Sequence, residues 1–341
     1  MGITILVLAA FMIFFLIFMQ RYVVYTSDGA HLDFSRSTLD IAVKEDNSSG
    51  EKPHSGLSNV EIEIKNDEQS IDGKLKQLSG VYITIDMIRN EPVQVLENVK
   101  KLDNTNAVMI DVKDAKGNFY YNTSIADTKK ANTDAVDELI SYLTRNGFPM
   151  IARIPAFTDS YFAENHRELS LEMEDGSLWT DVEGNYWLNP EKSTVISYQE
   201  QICKELSSLG FQEVVFDSFT FPASGSIIYT SNMTRAELIE SAAREMENAF
   251  AGSNLTISFC TTDTAFPVDS TFGRIYVPDA SGANVDRIIS SLNNTVNNIS
   301  TQVVFLSGSR DTRFETCGIL RPLIVEASVE IDLPQAESQD E

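Results

Sequence analysis

The feature that most constrains the fold of this chain is an alternation of short β-branched runs with amphipathic helical segments. The β-branched runs occupy residues 81–86, 107–112, 150–154, 213–216, 255–259, 274–277, 303–306 and 323–325. Helical periodicity lies between many of them, at residues 93–102, 133–145, 193–209, 234–250 and 285–292. Such alternation indicates a parallel sheet covered by helices. Eight runs over about 250 residues predict an α/β fold, a (β/α)8 TIM-like barrel.

An apolar run at residues 3–19 precedes this pattern and is followed by Gln20 and Arg21. Extended through Val24, it approaches the ~20 residues that cross a bilayer. The run lacks the basic n-region and the small-residue cleavage site of a cleaved signal peptide. We therefore predict a transmembrane signal anchor at residues 1–24, a polar spacer at 25–79, the barrel at 80–332 and an acidic tail at 333–341.

The charge of the chain limits its partners. Its 50 Asp and Glu residues against 26 Lys and Arg give a net charge of −24, which repels nucleic acid phosphates, so we expect no nucleic-acid partner. The three cysteines have no metal-ligand spacing and read as buried free thiols, so we expect no metal and no cofactor. We expect a single-pass protein of the cell membrane with its bulk outside the cytoplasm, although Arg21 favours the opposite orientation.

Polar residues stand where several of the predicted strands end, and a barrel gathers such ends at its functional face. They are Asp86, Asp111, Lys113, Asp114, Arg153, Asp217 and Asp263. An Asp after a strand also caps helices or forms turns, and these alternatives stand for Asp86, Asp111 and Asp114. Asp217 is the best catalytic candidate, because Phe221 and Pro222 follow it instead of a helix. Arg153 is its candidate ion-pair partner or a donor to sugar hydroxyls.

A polar insertion at residues 176–190 carries the two tryptophans of the chain, Trp179 and Trp187, together with Asn189. It follows the third predicted strand, at the functional end of the barrel. Indole rings stack on the C–H faces of sugars, and neighbouring Asn and Asp side chains bind hydroxyls, so we predict that these three residues bind substrate. The alternative is a lid whose tryptophans only pack on the barrel rim.

From Gly80 to Pro222 the sequence resembles the family named Putative glycosyl hydrolase domain. The matching segments are VYIT at 81–84, NAVMIDVKD at 106–114 with Gly117 and Tyr121, IARI at 151–154, FTD at 157–159, WLNP at 187–190, LGF at 209–211, and FD and FP within 216–222. The resemblance implies a (β/α)8 barrel related to polysaccharide-cleaving enzymes, exported or anchored at the cell envelope. It implies a polysaccharide or cell-wall glycan as the partner. From their positions at the predicted strand ends, Asp111, Lys113 and Arg153 are candidate substrate-binding residues.

The chain departs from the family pattern at two strands. The family reads FDYIRFP at the fourth strand, whereas residues 216–222 read FDSFTFP, with Thr220 in place of the arginine. At the fifth strand an Ala-Asp-x-Phe-Gly type of stretch is replaced by CTTDTAFP at 260–267, which contains Asp263. Glycoside hydrolysis ordinarily needs two carboxyl groups. Asp217 supplies one, and Asp263, Asp111, Asp181 and Glu183 are candidates for the other.

Two functions follow from these observations. The first is a membrane-anchored glycoside hydrolase that acts on cell-envelope polysaccharide, with Asp217 and Asp263 as its catalytic pair. The second is a barrel that has lost catalysis and binds glycan or an envelope protein. The altered fourth and fifth strands favour the second function, and the family resemblance favours the first.

Overall fold

The computed structural model describes residues 75–261, 273–293 and 295–325, together with two short strands near the N-terminus. These strands, Val23–Thr26 and Gly29–Leu32, pair as an antiparallel hairpin. Val23 and Val24, the last residues of the predicted anchor, therefore lie in a strand. The apolar run 3–19 and the acidic tail 333–341 lie outside the described residues. Within the part of the chain that is described, every helix is too short or too polar to cross a bilayer.

Eight parallel strands close into a barrel, which confirms the predicted fold. Each strand pairs with the next along the chain and β8 pairs with β1. In chain order they are β1 Ser79–Ile83, β2 Ala107–Asp111, β3 Met150–Pro155, β4 Glu213–Asp217, β5 Thr256–Cys260, β6 Ile275–Pro278, β7 Val303–Leu306 and β8 Gly318–Pro322.

Helices cover the outside of the barrel because their apolar faces pack on the strands. They are α1 Ile85–Asn90, α2 Pro92–Val99, α3 Asp134–Arg145, α4 Ser160–Asn165, α5 Ser193–Ser208, α6 Arg235–Ala249, α7 Val285–Leu292 and α8 Ile299–Gln302, with 3₁₀ turns at Arg167–Leu169 and Thr312–Thr316. Four of the five predicted helices match α3, α5, α6 and α7 closely.

Two elements differ from the sequence prediction. The predicted helix at 93–102 is observed as α2, Pro92–Val99, and a further helix that the sequence did not predict, α1, precedes it. The two helices are separate because Pro92 lacks the N–H that a continuous helix would need and instead begins α2. The eighth strand is Gly318–Pro322 and not residues 323–325. A charged residue followed by proline is more typical of a turn than of a buried strand, yet Arg321 and Pro322 both pair in register with β1.

Side chains alternate between the barrel interior and its helical coat. The interior contains Met109, Ile151, Val215, Tyr276 and Leu320, all buried. The alternation fixes which polar residues face inward at the two ends of each strand. The N-terminal end of the barrel is closed by a buried ion pair, and the C-terminal end holds the candidate site.

The closing ion pair joins Glu213 of β4 to Arg274, which directly precedes β6, with Nη1 2.5 Å from Oε2. The other carboxylate oxygen accepts hydrogen bonds from Ser258 and Tyr276. Arg274 also donates to the carbonyl of Lys76, so the packed domain begins before the predicted boundary at residue 80.

Candidate active site at the C-terminal end of the barrel

Three charged residues stand at the C-terminal ends of consecutive strands. Asp111, Arg153 and Asp217 lie two residues beyond Met109, Ile151 and Val215, which face the interior. The period-two alternation of a strand therefore points all three toward the barrel mouth. Strand register places Arg153 directly beside Asp111.

The three residues line one cavity of about 370 Å³ that opens to solvent. The cavity is also bordered by Thr84, Asp86, Arg89 and Asp114. Its volume falls within the range typical of small-molecule sites. The sequence prediction had selected most of these residues from their positions at strand ends.

Arg153 forms an ion pair with Asp111 that has two parallel hydrogen bonds. Nε donates to Oδ1 at 2.6 Å and Nη2 donates to Oδ2 at 2.9 Å, and both side chains are mostly buried. Burial alone would lower the pKa of Arg153, but these hydrogen bonds and the Asp111 charge hold it above its ordinary value. The pair is a fixed feature of the cavity wall.

Asp217 has a raised pKa. Burial is the largest cause, and the negative charges of Asp111 and Asp279 add to it, while Arg153 opposes the shift. The backbone N–H of Ser218 donates to Oδ1 at 2.7 Å and so fixes the orientation of the carboxyl group. Ser218 has a positive φ of 53°, a conformation uncommon outside glycine. Asp217 is therefore an oriented carboxyl group whose pKa lies above its ordinary value.

Asp279, which follows β6, is a member of the mouth that the sequence prediction missed. It is exposed and has a φ of 53°. Its charge raises the pKa of Asp217 and contributes to the raised pKa values of Tyr82 and Cys260, for which burial is the main cause. Among the described residues, no hydrogen bond or ion pair reaches its carboxylate. The rule that functional residues follow the ends of barrel strands would have selected Asp279, because only Pro278 separates it from the run at 274–277.

The side of the cavity formed by Arg89 and Asp114 contains a chain of polar contacts. Arg89 of α1 donates to the Tyr120 hydroxyl at 2.6 Å, and that hydroxyl donates to Asp114 at 2.9 Å. Asp114 also accepts two hydrogen bonds from Asn118, as its turn interpretation predicts. Thr84, not Asp86, provides the N-cap of α1, because its hydroxyl accepts from Met87 N.

Lys113 lies in a different environment from the one expected of a substrate-binding residue. Its side chain is fully buried, with Nζ 2.9 Å from Oδ2 of Asp159 but outside the hydrogen-bonding direction. Asp159 caps α4 through Phe162 N and accepts from the Tyr198 hydroxyl at 3.0 Å. Lys113 nevertheless borders the Asp217 cavity, and its ion pair with Asp159 links the cavity wall to the start of α4.

The tryptophan insertion lies beside a separate cleft. Trp187 is 8% exposed, and its indole N–H donates to Oδ2 of Asp181 at 3.0 Å. Trp179 is half-buried and contacts Trp187 edge-to-face, with ring centroids 6.0 Å apart. Asn189 accepts from Glu191 N in the turn before α5. None of these three residues borders the Asp217 cavity.

Two alternatives for the second carboxyl group also lie in this insertion. Burial would raise the pKa of Asp181, but hydrogen bonds from Asn185, Trp187 and Glu183 lower it overall. Neither Asp181 nor Glu183 borders the Asp217 cavity. Asp263 lies outside the described residues. Across the described ranges, no group of three or more His, Cys, Asp and Glu residues could hold a metal ion.

The model of the family named Putative glycosyl hydrolase domain matches residues 80–307, well over half of the chain. The chain belongs to this family. The match extends beyond Pro222, where the recognised resemblance ended, and includes seven strands of the barrel. The candidate site of this Putative glycosyl hydrolase domain lies at the C-terminal face, as in other TIM barrels.

Two glycosidases are among the solved structures that resemble the chain. An α-galactosidase from Lactobacillus brevis is 11% identical, with a TM-score of 0.51, and the match covers 73% of this chain and 38% of that one. An exo-β-N-acetylglucosaminidase of glycoside hydrolase family 20 from Vibrio harveyi is 13% identical, with a TM-score of 0.49 and coverages of 76% and 48%. The chain thus spans less than half the length of either enzyme.

A hypothetical protein from Ruminiclostridium thermocellum is 22% identical, with a TM-score of 0.46, and the match covers 52% of this chain and 97% of that one. The likeness to the α-galactosidase, at 11% identity, is one of fold alone. No curated protein matches the sequence.

Proposed function

We propose that this domain is a glycoside hydrolase in which Asp217 is the general acid. The observation that carries the proposal is the raised pKa of a carboxyl group that is fixed in orientation and faces an open cavity. A glycosidase acid must still hold its proton near neutral pH, and burial together with neighbouring negative charge shifts the pKa of Asp217 in the direction that this role requires. Protonation of the glycosidic oxygen by Asp217 would allow the leaving sugar to depart.

The second carboxyl group has two candidates. Asp279 follows β6, its carboxylate has no hydrogen bond or ion pair within the described residues, and its charge raises the pKa of Asp217. Asp263 is the candidate from the sequence. Asp111 is less suited, because Arg153 occupies both of its oxygens. In the proposed enzyme the Asp111–Arg153 pair binds sugar hydroxyls, and the second carboxylate acts as nucleophile or base.

The test is the release of reducing ends from a panel of bacterial envelope polysaccharides. We expect the wild-type chain to cleave at least one of them and Asp217→Asn to lose at least about a hundredfold in rate. Asp279→Asn should lose a comparable factor if Asp279 is the partner. Asp103→Asn is the matched control, since Asp103 lies in an exposed turn at the opposite end of the barrel and accepts from Thr105 N. Full activity of Asp217→Asn would refute the proposal.

The proposed location is the outer face of the cell membrane, with the barrel tethered through residues 1–24. Its support is the apolar run at 3–19 and the polar stretch that follows. The full chain should sediment with membranes, and a variant lacking residues 1–24 should not. Protease added to intact spheroplasts should degrade the barrel. A barrel protected from that protease would place it on the other side of the membrane.

A glycan-binding barrel without catalysis is the second candidate. It is favoured by Thr220, which replaces the family's arginine close to Asp217, and by the commitment of the nearby Arg153 to Asp111. Glycan-array binding that survives Asp217→Asn, without reducing-end release from any polysaccharide, would establish this alternative.

A further inference from the structure

A second cleft lies beside the loop that continues from Asp217, with a volume of about 610 Å³. One wall is formed by the insertion, with Trp179, Thr180 and Val182, and the other by Pro222 and Ser224. This cleft shares no lining residue with the Asp217 cavity.

The insertion wall is rigidly built. Asp181 accepts the backbone N–H groups of Glu183 and Asn185 on one oxygen and the Trp187 indole N–H on the other. Trp187 in turn contacts Trp179 edge-to-face. Because Trp187 is buried, it positions the neighbouring ring, and Trp179 is the indole that can meet a ligand.

The opposite wall is fixed by Arg235 of α6. Its guanidinium donates to the carbonyls of Pro222 and Ser224 at 2.8 and 2.7 Å and lies 4.9 Å from the centre of the Phe221 ring. An isolated bridge between Met173 and Ile227 joins this loop to the segment that leads into the insertion. The cleft is therefore formed before any ligand arrives, which limits the entropy lost on binding.

The composition of the cleft suits a sugar ring. Trp179 offers an aromatic surface, Val182 is fully exposed, and Thr180 and Ser224 supply hydroxyl groups. The wall containing Pro222 begins five residues after Asp217, on the segment that leaves the C-terminal end of β4. A polymer lying across the Asp217 cavity can therefore place a further unit here.

We propose that this cleft binds a second pyranose unit of the glycan chain held at Asp217, with Trp179 as the stacking platform. The proposal rests on the proposed function and deepens it: the substrate is a polymer, and short fragments that do not reach the cleft are poor substrates. Trp179 then selects for substrates long enough to reach the cleft, and Trp187 holds the Trp179 ring in position.

The chain has only two tryptophans, so fluorescence reports directly on this cleft. In the full-length chain in detergent, Trp179 is the single tryptophan of the Trp187→Phe variant, and Trp187 is the single tryptophan of the Trp179→Phe variant. We would titrate both, in an Asp217→Asn background, with chitohexaose, its de-N-acetylated form, cellohexaose and laminarihexaose, and with the disaccharide of each. At least one hexasaccharide should shield Trp179 from acrylamide while its disaccharide does not, and Trp187 should stay unchanged.

The kinetic counterpart is the KM of a cleaved polymer. Trp179→Ala should raise that KM about tenfold and leave the rate on an aryl monosaccharide glycoside unchanged. Trp179→Phe should restore most of the loss, which separates stacking from a folding defect. Shielding of Trp179 without any hydrolysis would support this inference and refute the proposed function. The inference fails if no hexasaccharide shields Trp179, or if Trp179→Ala cleaves the polymer with unchanged KM.

Discussion

Arg153 donates hydrogen bonds to both carboxylate oxygens of Asp111, at 2.6 and 2.9 Å. The two residues are neighbours in register on strands β3 and β2. The net charge of the pair is close to zero, so the negative charge of Asp111 offsets part of the effect of Arg153 on the pKa of Asp217. That residual attraction does not overcome burial, and the pKa of Asp217 stays raised. The extent to which the pKa of the proposed acid is raised therefore depends on this ion pair.

Arg153→Met should move the alkaline limb of the pH–rate profile to higher pH. Arg153 lowers the pKa of Asp217, so its removal raises that pKa further, and a general acid loses activity only as the pH rises through its pKa. The profile of kcat/KM on a cleaved glycan measures the shift.

Asp111→Asn should move the same limb to lower pH. Its charge raises the pKa of Asp217, and its loss also frees Arg153 to act on Asp217. Opposite displacements in the two variants are the expected result. Displacements of the same sign would exclude this electrostatic arrangement.

Arg274→Met should destabilise the domain by about 3–5 kcal/mol, because it leaves the buried Glu213 carboxylate without its cation. The free energy of unfolding in urea measures the loss. The double variant Glu213→Gln with Arg274→Met should recover part of it, since no buried charge then remains. Lys100→Met, which breaks an exposed pair with Glu97, is the control and should leave stability unchanged.

Gly80→Ala should destabilise the barrel by more than about 3 kcal/mol, because a Cβ atom there would lie 1.9 Å from the carbonyl oxygen of Ala107. Strand β1 cannot pair closely with β2 if this position carries a side chain. Gly225→Ala, where a Cβ atom meets nothing within 4 Å, should change stability by less than about 0.5 kcal/mol. Equal melting temperatures for the two variants would contradict this account of the β1–β2 contact.

The barrel was predictable because its signal is local and repeated. Helices such as α3 and α7 have strong amphipathic periodicity, and the buried strands are short runs of β-branched residues. Strand β8 was misplaced because Arg321 and Pro322 break the apolar run, and their pairing with β1 depends on closure of the barrel.

The rule that functional residues follow the ends of barrel strands also brought Asp111, Arg153 and Asp217 together, since alternation along a strand determines which side chains face the mouth. It could not foresee that Lys113 is paired in the interior with Asp159, because that contact joins different segments of the chain. Nor could composition distinguish the buried Trp187 from the accessible Trp179.

The measurement that tests the central claim most directly is the dependence of the Asp217→Asn defect on the leaving group. A general acid assists a poor leaving group and is dispensable for a good one. We expect Asp217→Asn to lose at least about a hundredfold in rate on a natural glycan and little on the matching 2,4-dinitrophenyl glycoside. Equal losses on both substrates would contradict the role of Asp217 as the acid, and no cleavage of either by the wild-type chain would contradict the enzyme itself.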